Sequence, residues 1–213
     1  MSERRNFTRK SGFRDSRLII IATEGKKTEV IYFNGLKEYY NNPKIHVEVL
    51  ERSVSASDPA TVLKMLDQFR SKYNLRKSND QLWLTIDVDR WGSQKLSSIS
   101  QQCIQKQYYL AVSNPAFEIW LIMHIHALNT YTRDVQVELL ENKKEGNRSR
   151  LEIELVNLLG SYNKTNPNMQ FFNQHVIEAI QNARSADAHP EQRWTNELGT
   201  KVYLLAEEII NPH

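Results

Sequence analysis

The sequence predicts an α/β fold: a mainly parallel sheet of about four strands flanked by helices, with a helical C-terminal part packed on it. Three observations carry this expectation. Leu18–Ala22 is an aliphatic run that reads as a central strand buried on both faces. Strand and helix patterns alternate through residues 17–127, the order that makes a parallel sheet with helical crossovers. Beyond residue 127 the pattern is mostly helical. A chain of 213 residues can bury roughly 70% of its unfolded surface, so one hydrophobic core suffices without staples.

Taken in order, Arg17–Thr23 is the first strand and Glu24-Gly25 ends it. Lys27–Tyr40 has the spacing of a helix with one apolar side, through Val30, Ile31, Phe33 and Leu36, and Asn41-Asn42-Pro43 stops it. Ile45–Leu50 alternates apolar and polar residues as an edge strand does. Asp58-Pro59 is a helix start, a capping acid followed by proline at the first helical position, and Leu63, Leu66, Phe69 and Tyr73 form the buried stripe. Gln81–Val88 is the third strand, Ser93–Lys106 a helix and Tyr108–Val112 the fourth strand. Asn114-Pro115 turns into a further helix running to about Ala127. Helical segments follow near residues 134–143, 149–160, 169–187 and 199–210. The expected organisation is a basic, flexible arm over residues 1–16, an α/β core over 17–127 and a helical region over 128–213, all within one domain.

Composition excludes several classes. With one cysteine, Cys103, there is neither an internal disulfide nor a four-cysteine zinc site. No apolar run approaches the roughly 20 residues that span a bilayer, so the expectation is a cytoplasmic protein with no membrane association. The net charge of +3 is unevenly spread. Residues 1–17 hold six basic residues against two acidic ones, a local charge of +4, which leaves 22 basic and 23 acidic residues elsewhere. The arm reads either as a solvated leader or, with Phe7 and Phe13 interleaved among its cations, as a phosphate-contacting segment.

Ligands of open parallel sheets bind beyond the carboxyl ends of the strands. Glu24 stands just past the first strand, and Asp87 and Asp89 stand at the end of the third. Residues i and i+2 of a strand share a face roughly 7 Å apart, so an Asp-x-Asp pair can share a hard cation with Glu24 adding a third carboxylate. Oxygen ligands of this kind suit Mg²⁺ or Mn²⁺ and in-line phosphoryl chemistry. The plainer reading is that such acids cap the next helix. Lys26 and Lys27 begin a helix whose backbone N–H groups make an anion-ready end, but a single glycine makes this no P-loop. Glu29 in the first turn is favoured by the helix dipole whether or not it has a further role. Glu118 lies in an otherwise apolar helix, where an unpaired carboxylate is costly. His124 and His126, two apart, do not share a helix face; they read as core or surface residues, not zinc ligands. Trp91 and Trp120 are able to stack on bases, but a single Trp beside a strand end is more often a lid or core residue; Cys103 has no nearby cationic motif that would activate it.

The segment Glu24-Gly25-Lys26-Lys27-Thr28-Glu29 followed by Tyr32-Phe33 resembles the opening motif of the RloB-like proteins. Three further blocks match in the expected order: Asp87-Val88-Asp89 with Trp91, Asn114-Pro115-x-Phe117-Glu118-x-Trp120-Leu121, and Tyr162-Asn163-Lys164-Thr165. The departures are small: Ala116 stands where Cys or Ala is usual, and Asn163 where Asp is frequent. The resemblance implies a TOPRIM-like (Rossmann-like) core and a bacterial protein of restriction loci and phage defence. It implies Glu24 as metal ligand or general acid/base and Asp87 and Asp89 as metal ligands. Glu118 and Lys164 are further site residues by the same resemblance, with Lys26, Lys27, Thr28 and Trp91 expected against substrate. The expected activity is Mg²⁺- or Mn²⁺-dependent cleavage of nucleic acid, RNA (a tRNA, for instance) or DNA. The alternative is a non-catalytic metal- or nucleotide-binding module that regulates a restriction or ATPase partner. Oligomeric state is left open, a homodimer included.

Overall fold

The computed structural model describes residues 16–51, 58–76, 79–88 and 91–210, together with the backbone of residues 5–6. Its centre is β1, Arg17–Thr23, whose β-branched run packs on both sides, with Leu18 through Ala22 fully buried. Next come α1 (Thr28–Tyr40), β2 (Ile45–Leu50), α2 (Pro59–Lys72), β3 (Gln81–Asp87), α3 (Ser93–Lys106) and β4 (Tyr109–Asn114). The C-terminal part holds α4 (Glu118–Ile122), α5 (Arg133–Glu141), α6 (Arg150–Leu159), α7 (Met169–Gln174), α8 (Val176–Ala186), β5 (Gly199–Thr200) and α9 (Val202–Ile210). The sheet order is β2-β1-β3-β4-β5. Its first four strands are parallel, and β5 runs antiparallel to β4, Ser113 opposite Thr200. A mostly parallel sheet flanked by helices was expected; the fifth strand was not.

Strand side chains alternate between faces, and that alternation sorts the core into two layers. Ile19, Ile21, Trp83 and Ala111 pack with Tyr32, Phe33 and Leu36 of α1 and with the C-terminal helices. Leu18, Ile20, Ala22, Leu84 and Ile86 pack with Leu63 and Leu66 of α2 and with Leu96, Ile99 and Cys103 of α3. The sheet is therefore covered on both faces, as parallel sheets are. Among the described residues no helix is long and apolar enough to cross a membrane. Of the basic arm, Arg5–Asn6 pairs in parallel with Tyr73–Asn74; residues 1–4 and 7–15 lie outside the described residues.

Several expected elements are corrected. Asp58 precedes α2 but does not cap it through its side chain; the carboxylate pairs instead with Lys95 at 2.5 Å, and Pro59 alone marks the start. The helix expected from Pro115 to Ala127 is only the five residues of α4. The ring Nδ1 of His124 takes the Trp120 carbonyl at 2.9 Å, the acceptor its own backbone N–H would use in an α-helix, and that N–H turns to Leu121. His175 divides the expected 169–187 helix in the same way, its Nδ1 on the Phe171 carbonyl at 2.9 Å and its N–H on Phe172. The segment expected as a helix from 199 begins with β5. Lys144–Glu145 and Arg148–Ser149 form a small hairpin where no strand was expected.

His124 is a core residue, with Tyr32 Oη donating to its Nε2 at 3.0 Å. Burial holds its pKa down to about 3, against an ordinary value of 6.5. The unfolded chain takes up this proton below about pH 6.5 while the folded chain refuses it. Stability is therefore expected to fall as the pH drops from 6.5, by up to about 1.4 kcal/mol per unit from this group. An imidazole NMR titration checks the cause: the His124 resonances should not move between pH 8 and 5, and a midpoint near 6.5 would refute the account.

Candidate functional site

In an open α/β sheet of order 2-1-3-4 the crevice opens between β1 and β3, where successive crossovers diverge. The residues after those strands, and after β4, meet there. They line a cleft of about 550 Å³ that includes Glu24, Lys26, Lys27, Thr28, Asp87, Glu118 and Lys164. Seven positions singled out from the sequence are thus brought together. Asp89 lies outside the described residues.

Glu24 forms part of the floor. It is 3% exposed, and its backbone N–H donates to the Thr85 carbonyl at 2.9 Å, continuing the β1–β3 ladder by one residue. Its Oε2 accepts the Asp87 backbone N–H and the Trp91 indole N–H, each at 3.1 Å. Two donors on one oxygen compensate a buried charge and hold the carboxylate beside Asp87, the last, half-buried residue of β3. Trp91 does not line the cleft. Its indole N–H is engaged with Glu24, which it braces, and one ring face is covered by the Lys95 ammonium at 4.0 Å. Trp120 is fully buried in the core. Cys103 is also buried, and burial pushes its thiol up to about 11.

Glu29 belongs to the same floor. From the first turn of α1 its carboxylate folds back over Gly25, so close that a Cβ on residue 25 would lie 1.7 Å from Oε2. Burial pushes its pKa up to about 7, opposed by hydrogen bonds from the backbone N–H groups of Glu29 and Gly25 and reinforced by the charges of Glu118 and Glu24. The three carboxylates thus stand near enough for the charges of Glu118 and Glu24 to oppose the ionisation of Glu29, and the floor is acidic. Gly25→Ala is expected to leave the fold intact, because the clash falls on the mobile end of one side chain, but to evict Glu29 at a cost of about 1–2 kcal/mol. A double-mutant cycle with Glu29→Ala should return a coupling above about 1 kcal/mol; additive effects would mean that the carboxylate does not sit there.

Glu118 opens α4 directly after β4. Thr28 does not point its hydroxyl into open space: it donates to the Lys164 carbonyl at 2.9 Å, tying α1 to the 162–165 segment. The Lys164 ammonium pairs with Glu152 at 2.8 Å and is just over half exposed. Burial would raise the Glu152 carboxyl, but hydrogen bonds from Lys164 and from the Ser149 backbone outweigh it and hold the group below its ordinary range. Tyr162, whose phenol is pushed up by burial and by the Glu118 charge, stands at the same junction.

One part of the lining was not anticipated: Asn142, Lys144, Ser149 and Glu152, from the end of α5, the hairpin and the start of α6. One local signal was present in the sequence: Ser149-x-x-Glu152 is a capping box, and both its hydrogen bonds form. Nothing local to Lys144 marks it as a site residue.

Among the described residues no group of three or more His, Cys, Asp or Glu side chains is already gathered as a metal cage. The donor set nonetheless suits a hard cation. Mg²⁺ is commonly held by one or two carboxylates, with waters and substrate phosphates completing its shell, and Glu24 and Asp87 supply two on adjacent strands.

Fold and cleft together define a doubly wound, Rossmann-like α/β protein with a carboxylate floor at the switch point of its sheet. Within that class the chain belongs to the RloB-like family: the family description "RloB-like protein" matches residues 19–209, most of its length. Comparison with curated proteins and with solved structures found no match.

Proposed function

We propose that this chain is a divalent-cation-dependent nuclease with a TOPRIM-like site, acting on RNA or DNA as an effector of phage defence. The observation that carries the reading is the seating of Glu24 against Asp87 at the β1/β3 switch point. A buried carboxylate held by two N–H donors adjoins a second carboxylate, below exposed lysines. Glu24 and Asp87, with Asp89 following on the same segment, would hold Mg²⁺ or Mn²⁺. Such a cation, when bound, polarises a phosphate and steadies the leaving oxygen.

The chain's own groups supply the rest. Glu118, at the floor, orients water towards the phosphorus. Lys164, itself positioned by Glu152, meets the charge that develops on the phosphoryl oxygens. Lys26 and Lys27, exposed on the turn before α1, hold the flanking phosphate.

The test is cleavage of end-labelled total tRNA, single-stranded RNA and duplex DNA with Mg²⁺ or Mn²⁺. Cuts that require the cation and vanish with chelator are expected. No cutting of any substrate, together with no Mn²⁺ binding by calorimetry, would overturn the reading.

A further inference from the structure

An acidic floor offers a polyanion no attraction of its own, so the cations that line the cleft are the groups suited to hold the substrate beside it. Four exposed lysines line the cleft: Lys26 and Lys27 on the turn before α1, Lys164, which pairs with Glu152, and Lys144 on the hairpin. We infer that Lys144 is a phosphate-contacting residue, and that the backbone of a nucleic-acid strand runs between the hairpin and the first turn of α1. This rests on the nuclease reading and adds the hairpin to it.

Two observations point to Lys144 in particular. The first is anchoring. Although the hairpin is small, its base is fixed: Lys144 pairs with Ser149 in the ladder, and the Arg150 N–H donates to the Lys143 carbonyl at 2.9 Å. The Leu151 N–H donates to Asn142 Oδ1 at 3.1 Å, and Leu139, Leu151 and Leu155 bury the α5–α6 contact beneath. The backbone of Lys144 is therefore held in place as part of the wall. The second is charge. Lys143, next in sequence, is paired with Glu141 at 2.8 Å and does not line the cleft. Lys144 lines it and has no ion-pair partner among the described residues. One cation of the pair is neutralised locally, and the other faces the space where phosphate would lie.

A lysine on phosphate adds affinity without reading sequence, and its removal lowers the salt dependence of binding by close to one unit. The experiment measures binding of fluorescent single-stranded RNA and duplex DNA by anisotropy, with Ca²⁺ to slow turnover, across a salt series. Lys144→Ala should weaken binding about three- to tenfold on every sequence and reduce the log–log salt slope by about 0.7–0.9. Lys144→Arg should restore both, and Lys144→Glu should weaken binding further. Lys143→Ala is the control and should match wild type. Mn²⁺ affinity and thermal stability should be unchanged in Lys144→Ala, and KM should rise with kcat held.

If wild type binds but Lys144→Ala keeps its affinity and slope, the placement of the strand is wrong and the nuclease reading stands. If Lys143→Ala weakens binding as much as Lys144→Ala, the effect is general charge and the inference falls. If wild type binds no nucleic acid, the nuclease reading fails and takes the inference with it.

Discussion

Glu24→Gln is expected to abolish cation-dependent cleavage, by about a thousandfold or more, while the protein remains folded. Glutamine has the shape of glutamate, and its carbonyl oxygen can still accept the Asp87 and Trp91 N–H groups that hold residue 24 in place. What is lost is the charge. With one of the proposed anionic ligands gone, cation affinity is expected to fall with activity. A thousandfold loss corresponds to about 4 kcal/mol of transition-state stabilisation, the scale expected for metal-assisted phosphoryl chemistry. Single-turnover cleavage and Mn²⁺ calorimetry on wild type and variant, with circular dichroism as the control for folding, measure both quantities. Cleavage within tenfold of wild type would remove Glu24 from the proposed mechanism.

The largest expected effect on stability falls on residues that do not line the cleft. Lys201 is 1% exposed, and its ammonium donates to Asp187 Oδ2 at 2.5 Å and to the His189 carbonyl at 2.9 Å. Tyr203 Oη donates to the same Asp187 oxygen at 2.8 Å. Lys201→Ala would leave the Asp187 carboxylate buried with its countercharge gone and only the Tyr203 phenol and the His189 backbone N–H as partners, and removing one member of a buried pair costs about 3–5 kcal/mol. Urea unfolding should show this as a lower midpoint at nearly constant slope. Replacing both charges together, Lys201→Met with Asp187→Asn, should recover much of the loss, because the cost comes from the stranded charge. A loss below about 1 kcal/mol for Lys201→Ala would mean that water reaches the pair. Function should follow stability here. The Lys201 N–H donates to the Val112 carbonyl, and β5 closes the sheet beside Ser113 and Asn114, a few residues before Glu118. Loosening this corner would also loosen the start of α4.

The contrast between these two positions reflects how much each residue's neighbourhood is local. Glu24 and Asp87 were legible because each directly ends a hydrophobic strand, and strand ends in a parallel sheet share one edge. Lys201 was not, because its partner is 14 residues away through a segment with no periodic pattern. The helix ends at His124 and His175 were hidden for a different reason. Their sequences have helical periodicity, and only a ring nitrogen competing for an i−4 carbonyl breaks it. The motif marks Trp91, but its contact to Glu24 is visible only in the structure. Glu29 was read as a residue suited to a helix start, which it is, while its crowding with Glu24 and Glu118 depends on three different elements meeting.

By itself the sequence determined the parallel α/β core, the central position of β1, the acids at the strand ends and the family. These follow from interactions within a few residues: β-branched runs, helical periodicity, a proline or glycine stop and motifs read in order. The tertiary structure decided the strand order that opens the crevice between β1 and β3, the antiparallel β5, the hairpin wall that carries Lys144 and the raised pKa of Glu29. Each depends on surfaces brought together from distant parts of the chain. Burial and electrostatic crowding arise only when those surfaces meet, so no local pattern in the sequence can encode them legibly.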